Sequence, residues 1–396
     1  MREQNFALLH YPNGLAYLCL GVKDSFSGSN NLSWDALDAF LLKNNGQFVV
    51  SLLGYDVKNS IENLASNNVD YMTAPDWVYF VPESVYKLDN DSFELIFGVE
   101  DDALVDELFS QPVAKNPHFE LKPAIDKSQY IQQVQLAKEQ IQQGNCYELN
   151  FCQNFESFNI EDLDTWSVFR IALQNMQAPF SAYMQWNGHA MMGVSPERFI
   201  KKEGSKLVSQ PIKGTRPRMK NVVADEAMKS ELLNDPKERA ENVMIVDLVR
   251  NDLTRVAKTG TIKVDELFGI YSFQAVHQMI STISCELQAG VSYSEIIKAL
   301  FPMGSMTGAP KISAMKIIEE LESFKRGWYS GSIGLIHPNG DFDMNVVIRT
   351  LLYNRQRAYL SCPVGSAITA LSNPEDEYEE CLTKIQRILS LFSEQY

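Results

Sequence analysis

Lys213 stands in Pro211-Ile212-Lys213-Gly214-Thr215-Arg216-Pro217-Arg218, an apolar, glycine-bearing setting with two arginines within five residues. At neutral pH only about one lysine in a few thousand carries a free lone pair. Burial and neighbouring cations both push the proton off, which is how an amine becomes a nucleophile. The segment therefore predicts a depressed pKa for Lys213. By itself such an octapeptide also reads as a basic surface turn; its company along the chain decides.

Two acidic helix starts form that company. Asp235-Pro236-Lys237-Glu238 supplies a cap residue, a proline at the first helical position and a capping-box glutamate. The helix it opens puts Glu241 on one stripe with Met244, Ile245 and Leu248. A carboxylate on an apolar stripe must be neutralised, either by a divalent cation or by a salt bridge from Arg239 or Arg250. Ser372-Asn373-Pro374-Glu375-Asp376 opens a second helix, with Glu377, Glu380 and Lys384 on one side and Leu382, Ile385, Leu389 and Phe392 on the core face. Glu380 and Lys384 read either as a surface pair or as a metal ligand beside a cation that holds a substrate carboxylate. The small-residue loop at 301–311 opens onto an amphipathic helix (Ile312, Met315, Ile318, Leu321) and offers backbone N–H groups to an anion, although a tight loop without a ligand explains it as well. It lacks the spacing of a Walker loop. His277, in an apolar segment, reads on its own as structural.

The scaffold must be large, and 396 residues with 45% apolar and 21% charged content suit a globular chain. A formal charge of −15 disfavours nucleic acid and anionic membrane as partners. Six scattered cysteines without a CxxC suit reduced thiols in a cytoplasm. The start, Met1-Arg2-Glu3-Gln4-Asn5, leads into too short an apolar run for a signal peptide, and no stretch approaches a membrane span. Strands are predicted at 47–53, 77–81 and 92–99. Pro112, Pro117 and Pro123 mark a connector at 111–127, separating an N-terminal portion, 1–115, from a portion at 128–390, the two forming one intertwined globule. Tyr130, Ile131, Val134, Ala137 and Ile141 share a helix face that Gly144 closes. Hairpins are predicted at 182–186 with 189–192 around Asn187-Gly188, and at 333–337 with 342–352 around 338–341. Hairpins mixed with amphipathic helices indicate an α+β class.

Gly193-Val194-Ser195-Pro196-Glu197-Arg198-Phe199, the Lys213 segment, Arg239-Ala240-Glu241-Asn242, the 304–311 loop and the acidic run 377–380 occur in the order seen in chorismate-utilising enzymes. Residues 128–390 resemble that family, which includes anthranilate synthase component I, aminodeoxychorismate synthase component I, isochorismate synthase and salicylate synthase. The 1–115 portion is similar to the N-terminal region of anthranilate synthase component I, through Gly54-Tyr55-Asp56. The resemblance implies two packed antiparallel β-sheets surrounded by helices, with the site in a cleft. Two positions choose among the relatives. Isochorismate and salicylate synthases place a lysine base where this chain has Glu148, and anthranilate synthases read Pro-Ile-Ala-Gly-Thr where this chain has Lys213. The chain thus resembles the aminodeoxychorismate synthase branch. Anthranilate synthase component I is the alternative, and a non-catalytic chorismate-binding protein is the rival of another class.

The resemblance implies that neutral Lys213 attacks ring C2 of chorismate while Glu197, a protonated acid, protonates the departing C4 oxygen. Ammonia then enters at C4 and Lys213 leaves, giving 4-amino-4-deoxychorismate for 4-aminobenzoate and folate synthesis. It implies magnesium bound by Glu241 and Glu380, with Glu238 and Glu377 holding metal-bound water. Tyr329 and Arg349 are implied to grip the enolpyruvyl carboxylate. Gly214, Thr215, Thr307, Gly365 and Lys384 match other substrate contacts, and His277 matches a histidine beside the ring carboxylate. The chain departs from the pattern at Gly365-Ser366-Ala367, where relatives carry a run of glycines, and at Asn145, where an aspartate is common. Cys19-Leu20-Gly21 has the look of a glutaminase turn, but Cys19 reads as a strand residue. Ammonia is therefore expected from a separate glutamine amidotransferase subunit or from solution.

Overall fold

Alternation along single strands sets the layers. In Phe6–His10, Phe6 and Leu8 turn to one side and Ala7 and Leu9 to the other. The neighbouring Ala16–Leu20 repeats this, with Leu18 and Leu20 opposed to Tyr17 and Cys19. A strand apolar on both faces must be covered on both. Ala7 and Leu9 pack with Val50, Leu52, Ile333 and Phe342 of a second sheet, whereas Phe6 and Leu8 pack under helices through Tyr130, Val134, Trp166, Phe169 and Ile385.

The computed structural model describes residues 4–12, 14–89, 92–113, 117, 119–274 and 276–392. Met1, Arg2 and Glu3, where no leader was read, and part of the 111–127 connector lie outside them. Among the described residues each main sheet has ten strands, all antiparallel; Phe6–His10 pairs with Phe180–Trp186 in one, and Val49–Leu53 with Ser332–Ile336 in the other. Early and late strands therefore lie side by side in both sheets. A third sheet joins Gly308–Ala309, Glu148–Gln153 and Val364–Thr369. The architecture is the α+β arrangement of two packed antiparallel sheets with surrounding helices. No helix among the described residues is long and apolar enough to cross a membrane.

The predicted strands appear at Val49–Leu53, Trp77–Val81 and Ser92–Gly98, and the predicted amphipathic helix at Lys127–Gln142. Asn187 and Gly188 both take positive φ, 46° and 82°, with Trp186 opposite His189, as a two-residue hairpin turn requires. The second hairpin is shorter than predicted. Ser332–Ile336 and Phe342–Val346 flank its turn, but 342–352 is not one strand, because Thr350–Asn354 pairs in the other sheet. The chain changes sheets between them, and Arg349 takes a φ of 50° at the crossing, an uncommon conformation for arginine. The helices Pro236–Leu253 and Pro374–Leu389 start where predicted, their caps Asp235 and Asn373 accepting two backbone N–H bonds each. The predicted capping-box return of Glu238 is not made; its carboxylate lies 3.5 Å from the Arg216 guanidinium instead.

Candidate active site

A cleft of about 360 Å³ is lined by the Ile212–Pro217 strand, the starts of the two acidic helices, the loop around Ser305 and the sheet crossing at Arg349. Gly214 shapes its wall. Its φ is 83°, and a side chain there would meet Leu232 Cδ1 at 2.8 Å and Glu238 Oε2 at 3.0 Å. Strand pairing shifts register between Ile212 and Thr215, and Lys213 lines the cleft with 8% of its surface exposed.

The neighbours of Lys213 are the reverse of those predicted. Arg216 turns to Glu231 and Asp235 at 2.8 and 2.7 Å, and Arg218 to Asp225 at 2.9 Å. The ammonium instead touches Glu148 Oε1, and Glu241 Oε2 lies 4.0 Å away. Burial lowers the amine's pKa, but Glu148, Glu241 and Glu197 outweigh it and hold the group above the usual lysine value. The depressed pKa read from the sequence is overturned: the arginines are spent on helix carboxylates, and the pocket around Lys213 is acidic.

Glu197 follows the strand His189–Ser195 and is buried, with Ser305 Oγ donating to its Oε1 at 2.6 Å. Burial pushes its carboxyl up to about 7, against the opposing pull of Ser305 and Lys213. Such a group can give or take a proton near neutrality, which is what general acid–base work needs. Glu241 is likewise pushed up to about 7 by burial, and its Oε1 has no hydrogen-bond partner. Arg239 stacks on Phe268 and Arg250 pairs with Asp247, so neither arginine neutralises it. Burial raises Glu238 as well. At Glu380 burial is outweighed by Lys384, 2.6 Å away, and the carboxyl lies below its usual range. Carboxylate oxygens are the donors a hard cation takes, and the orphaned Glu241 oxygen fits one. Among the described residues, no three acidic, histidine or cysteine side chains already stand together as an ion-holding group.

Arg349 lines the cleft with no hydrogen bond or ion pair to its guanidinium among the described residues, and burial, helped by Arg387, pushes it down to about 10. Thr215, Tyr329, Gly365 and Lys384 line the same cleft. A side chain at Gly365 would collide with Asn150 Oδ1, and the Gly365 carbonyl accepts from Lys384 at 2.8 Å. Ala367 faces the cleft, whereas Ser366 turns to Cys381.

Three implied residues do not line it. Thr307 is fully buried and bonds the Met303 and Gly304 carbonyls. Glu377 is buried beside Lys237, 3.3 Å away. His277 is fully buried, its ring nitrogens bonded to Ser272 Oγ at 2.8 Å and Asp225 at 2.9 Å; Gln278 is the residue that lines the cleft. Adjacent strand residues point to opposite faces, so Gln278 turns to the cleft and His277 away from it. Sequence reading also missed Ser305, Lys237 and Arg387 as lining residues, and saw Glu148 only as the wrong kind of base. Cys19 lies buried within Ala16–Leu20. A glutaminase would also need a His-x-Glu pair downstream of such a cysteine; that spacing occurs at His118-Phe119-Glu120, with His118 outside the described residues.

The chain matches the family described as chorismate binding enzyme over residues 14–390. It is 36% identical over 346 residues to aminodeoxychorismate synthase component 1 of Salmonella typhimurium, covering 86% of this chain and 75% of that protein. Anthranilate synthase component 1 of Aquifex aeolicus is 36% identical over 282 residues, 71% of this chain and 56% of that protein. The structure of anthranilate synthase component I from Streptococcus pneumoniae superposes with a TM-score of 0.78 at 25% identity, over 97% of this chain and 89% of that one.

Proposed function

The chain belongs to the chorismate binding enzymes, and from that premise we propose that it converts chorismate and ammonia to 4-amino-4-deoxychorismate and water. The observation that carries the reading is a buried lysine, Lys213, sharing one cleft with a carboxyl, Glu197, whose proton is exchangeable near neutral pH. The Lys213 ammonium first passes a proton to Glu148, the carboxylate that touches it. The free amine attacks C2, both conjugated ring double bonds move one position toward C4, and the C4–O bond breaks so that the oxygen leaves as water with the proton from Glu197. Ammonia attacks C4, both double bonds shift back as the C2–N bond breaks and the Lys213 amine departs, and the proton shed by the incoming nitrogen restores Glu197.

Arg349, a guanidinium with no hydrogen-bond or ion-pair partner among the described residues, is suited to the enolpyruvyl carboxylate, with Tyr329 beside it. Magnesium fits the carboxylates Glu241 and Glu380, with Glu238 and Glu377 behind them; when bound it supplies charge neutralisation for the ring carboxylate. The relatives' designation as component 1 supports a separate amidotransferase as the ammonia source, and a cytoplasmic setting suits six buried free cysteines.

Purified chain given chorismate, ammonium and magnesium is expected to form 4-amino-4-deoxychorismate without releasing pyruvate, read by mass spectrometry. Intact-mass analysis during turnover is expected to show an adduct on Lys213. Anthranilate with pyruvate as the main products overturns the assignment.

A further inference from the structure

We infer that Lys237 is a built-in cation that competes with the divalent ion for Glu241, so that ion uptake displaces its ammonium. The inference rests on reading Glu241 and Glu380 as the metal ligands. Lys237 sits one helical turn before Glu241 on the Pro236–Leu253 helix. Its Nζ lies 3.9 Å from Glu241 Oε1, the buried oxygen without a hydrogen-bond partner, and 3.3 Å from Glu377 Oε1 on the Pro374–Leu389 helix. The ammonium therefore bridges the two acidic helices beside the oxygen best placed to take a metal. At 3.9 Å it screens that oxygen without satisfying it.

The geometry makes the two cations alternatives. A divalent ion seated on Glu241 Oε1 would lie a few ångströms from the ammonium, and like charges at that range repel. The lysine is the one free to leave: its side chain is 42% exposed on a flexible four-carbon stem, whereas Glu241 and Glu377 are 6% and 3% exposed. Lys384 holds Glu380 in the same manner at 2.6 Å. The pairs keep several carboxylates compatible with one another, and they lower the apparent affinity for the ion, because part of each binding event goes into opening an ion pair.

The test is magnesium titration by calorimetry on the full chain without substrate, using Lys237→Met, Lys237→Gln and Lys237→Arg. Loss of the charge in the Met and Gln variants is expected to tighten binding about tenfold, and the Arg variant is expected to stay within about twofold of the parent. A lysine that served only to strut the two helices would give variants that bind magnesium no better or worse, and that result overturns the inference. Glu241→Gln separates this from the underlying reading: it is expected to lose magnesium binding, and parent-like binding there removes the metal assignment and the competition together.

Discussion

Arg326 with Glu322 and Lys213 with Glu148 are both buried pairs of opposite charge, and they are built in opposite ways. Arg326 donates to Glu322, to the Met306 and Asn150 carbonyls at 2.7 Å each and to Ser330 Oγ at 3.3 Å, while Glu322 also accepts the Cys152 N–H at 2.8 Å. Around Lys213 the partners run out: Glu148 Oε2, Glu241 Oε1 and Gln278 Oε1 are buried with no hydrogen-bond partner among the described residues. An unsatisfied buried polar group costs about 1–3 kcal/mol, and a completed network is rigid. The first pair is therefore finished by the fold, and the second waits for something the fold does not contain. The two are linked, since Arg326 grips the carbonyl of Asn150, two residues from Glu148 on the same strand.

Removing the cation from each pair sharpens the contrast. Lys213→Met is expected to cut chorismate turnover by about 10³-fold or more while the chain stays folded, because Glu241, already pushed up to about 7 by burial, can take up a proton. Retention of more than a tenth of parental turnover would remove Lys213 from the chemistry. Arg326→Met should do the opposite and destabilise the protein by about 3–5 kcal/mol in urea denaturation, since Glu322 is left charged and buried. A loss under about 1 kcal/mol would mean that the completed network does not hold this part of the fold.

The finished pair was not legible in the sequence at all: Glu322 and Arg326 are four apart at a helix end and look like a surface pair. What was legible is what local chemistry dictates. The caps Asp235 and Asn373, the Asn187-Gly188 turn and the position of Lys213 follow from backbone requirements of a few adjacent residues. What approaches Lys213 from elsewhere does not. Glu148 arrives from a strand 65 residues earlier, and its arrival reversed the electrostatics inferred from the nearby arginines. Strand parity was lost by one at His277 because the segment is apolar on both faces and gives no alternation to read. The change of sheet at Arg349 escaped notice because 342–352 carries no break residue.

The unfinished site should also show in stability against pH, a smaller effect than either substitution above. Burial raises Glu197 from 4.5 to about 7, so the folded chain holds that proton more tightly than the unfolded one. Its contribution to stability is therefore full below about pH 4.5 and is lost as pH rises through about 7, at no more than about 1.4 kcal/mol per unit. Denaturation of the ligand-free chain across that window is expected to show a shallower decline in Glu197→Gln than in the parent. Equal slopes would place the Glu197 carboxyl in its ordinary range.

Ser305 gives the smallest and most discriminating change. Its hydroxyl donates to Glu197 Oε1 at 2.6 Å and favours the ionised form, so it works against burial. Ser305→Ala removes that stabilisation of the carboxylate and should move the Glu197 pKa further up, by about one unit. If Glu197 acts as the acid, activity falls on the alkaline side as its proton is lost, and in the variant that fall moves to higher pH. The variant is then slower overall yet retains a larger share of its own maximum at pH 8. If Glu197 acts as a base, the affected limb lies on the acid side, where rising pH increases the rate, and the same substitution reduces the share retained. The profile of kcat/KM against pH in parent and variant distinguishes the two, because the shift in pKa is the same and only the limb that carries it differs.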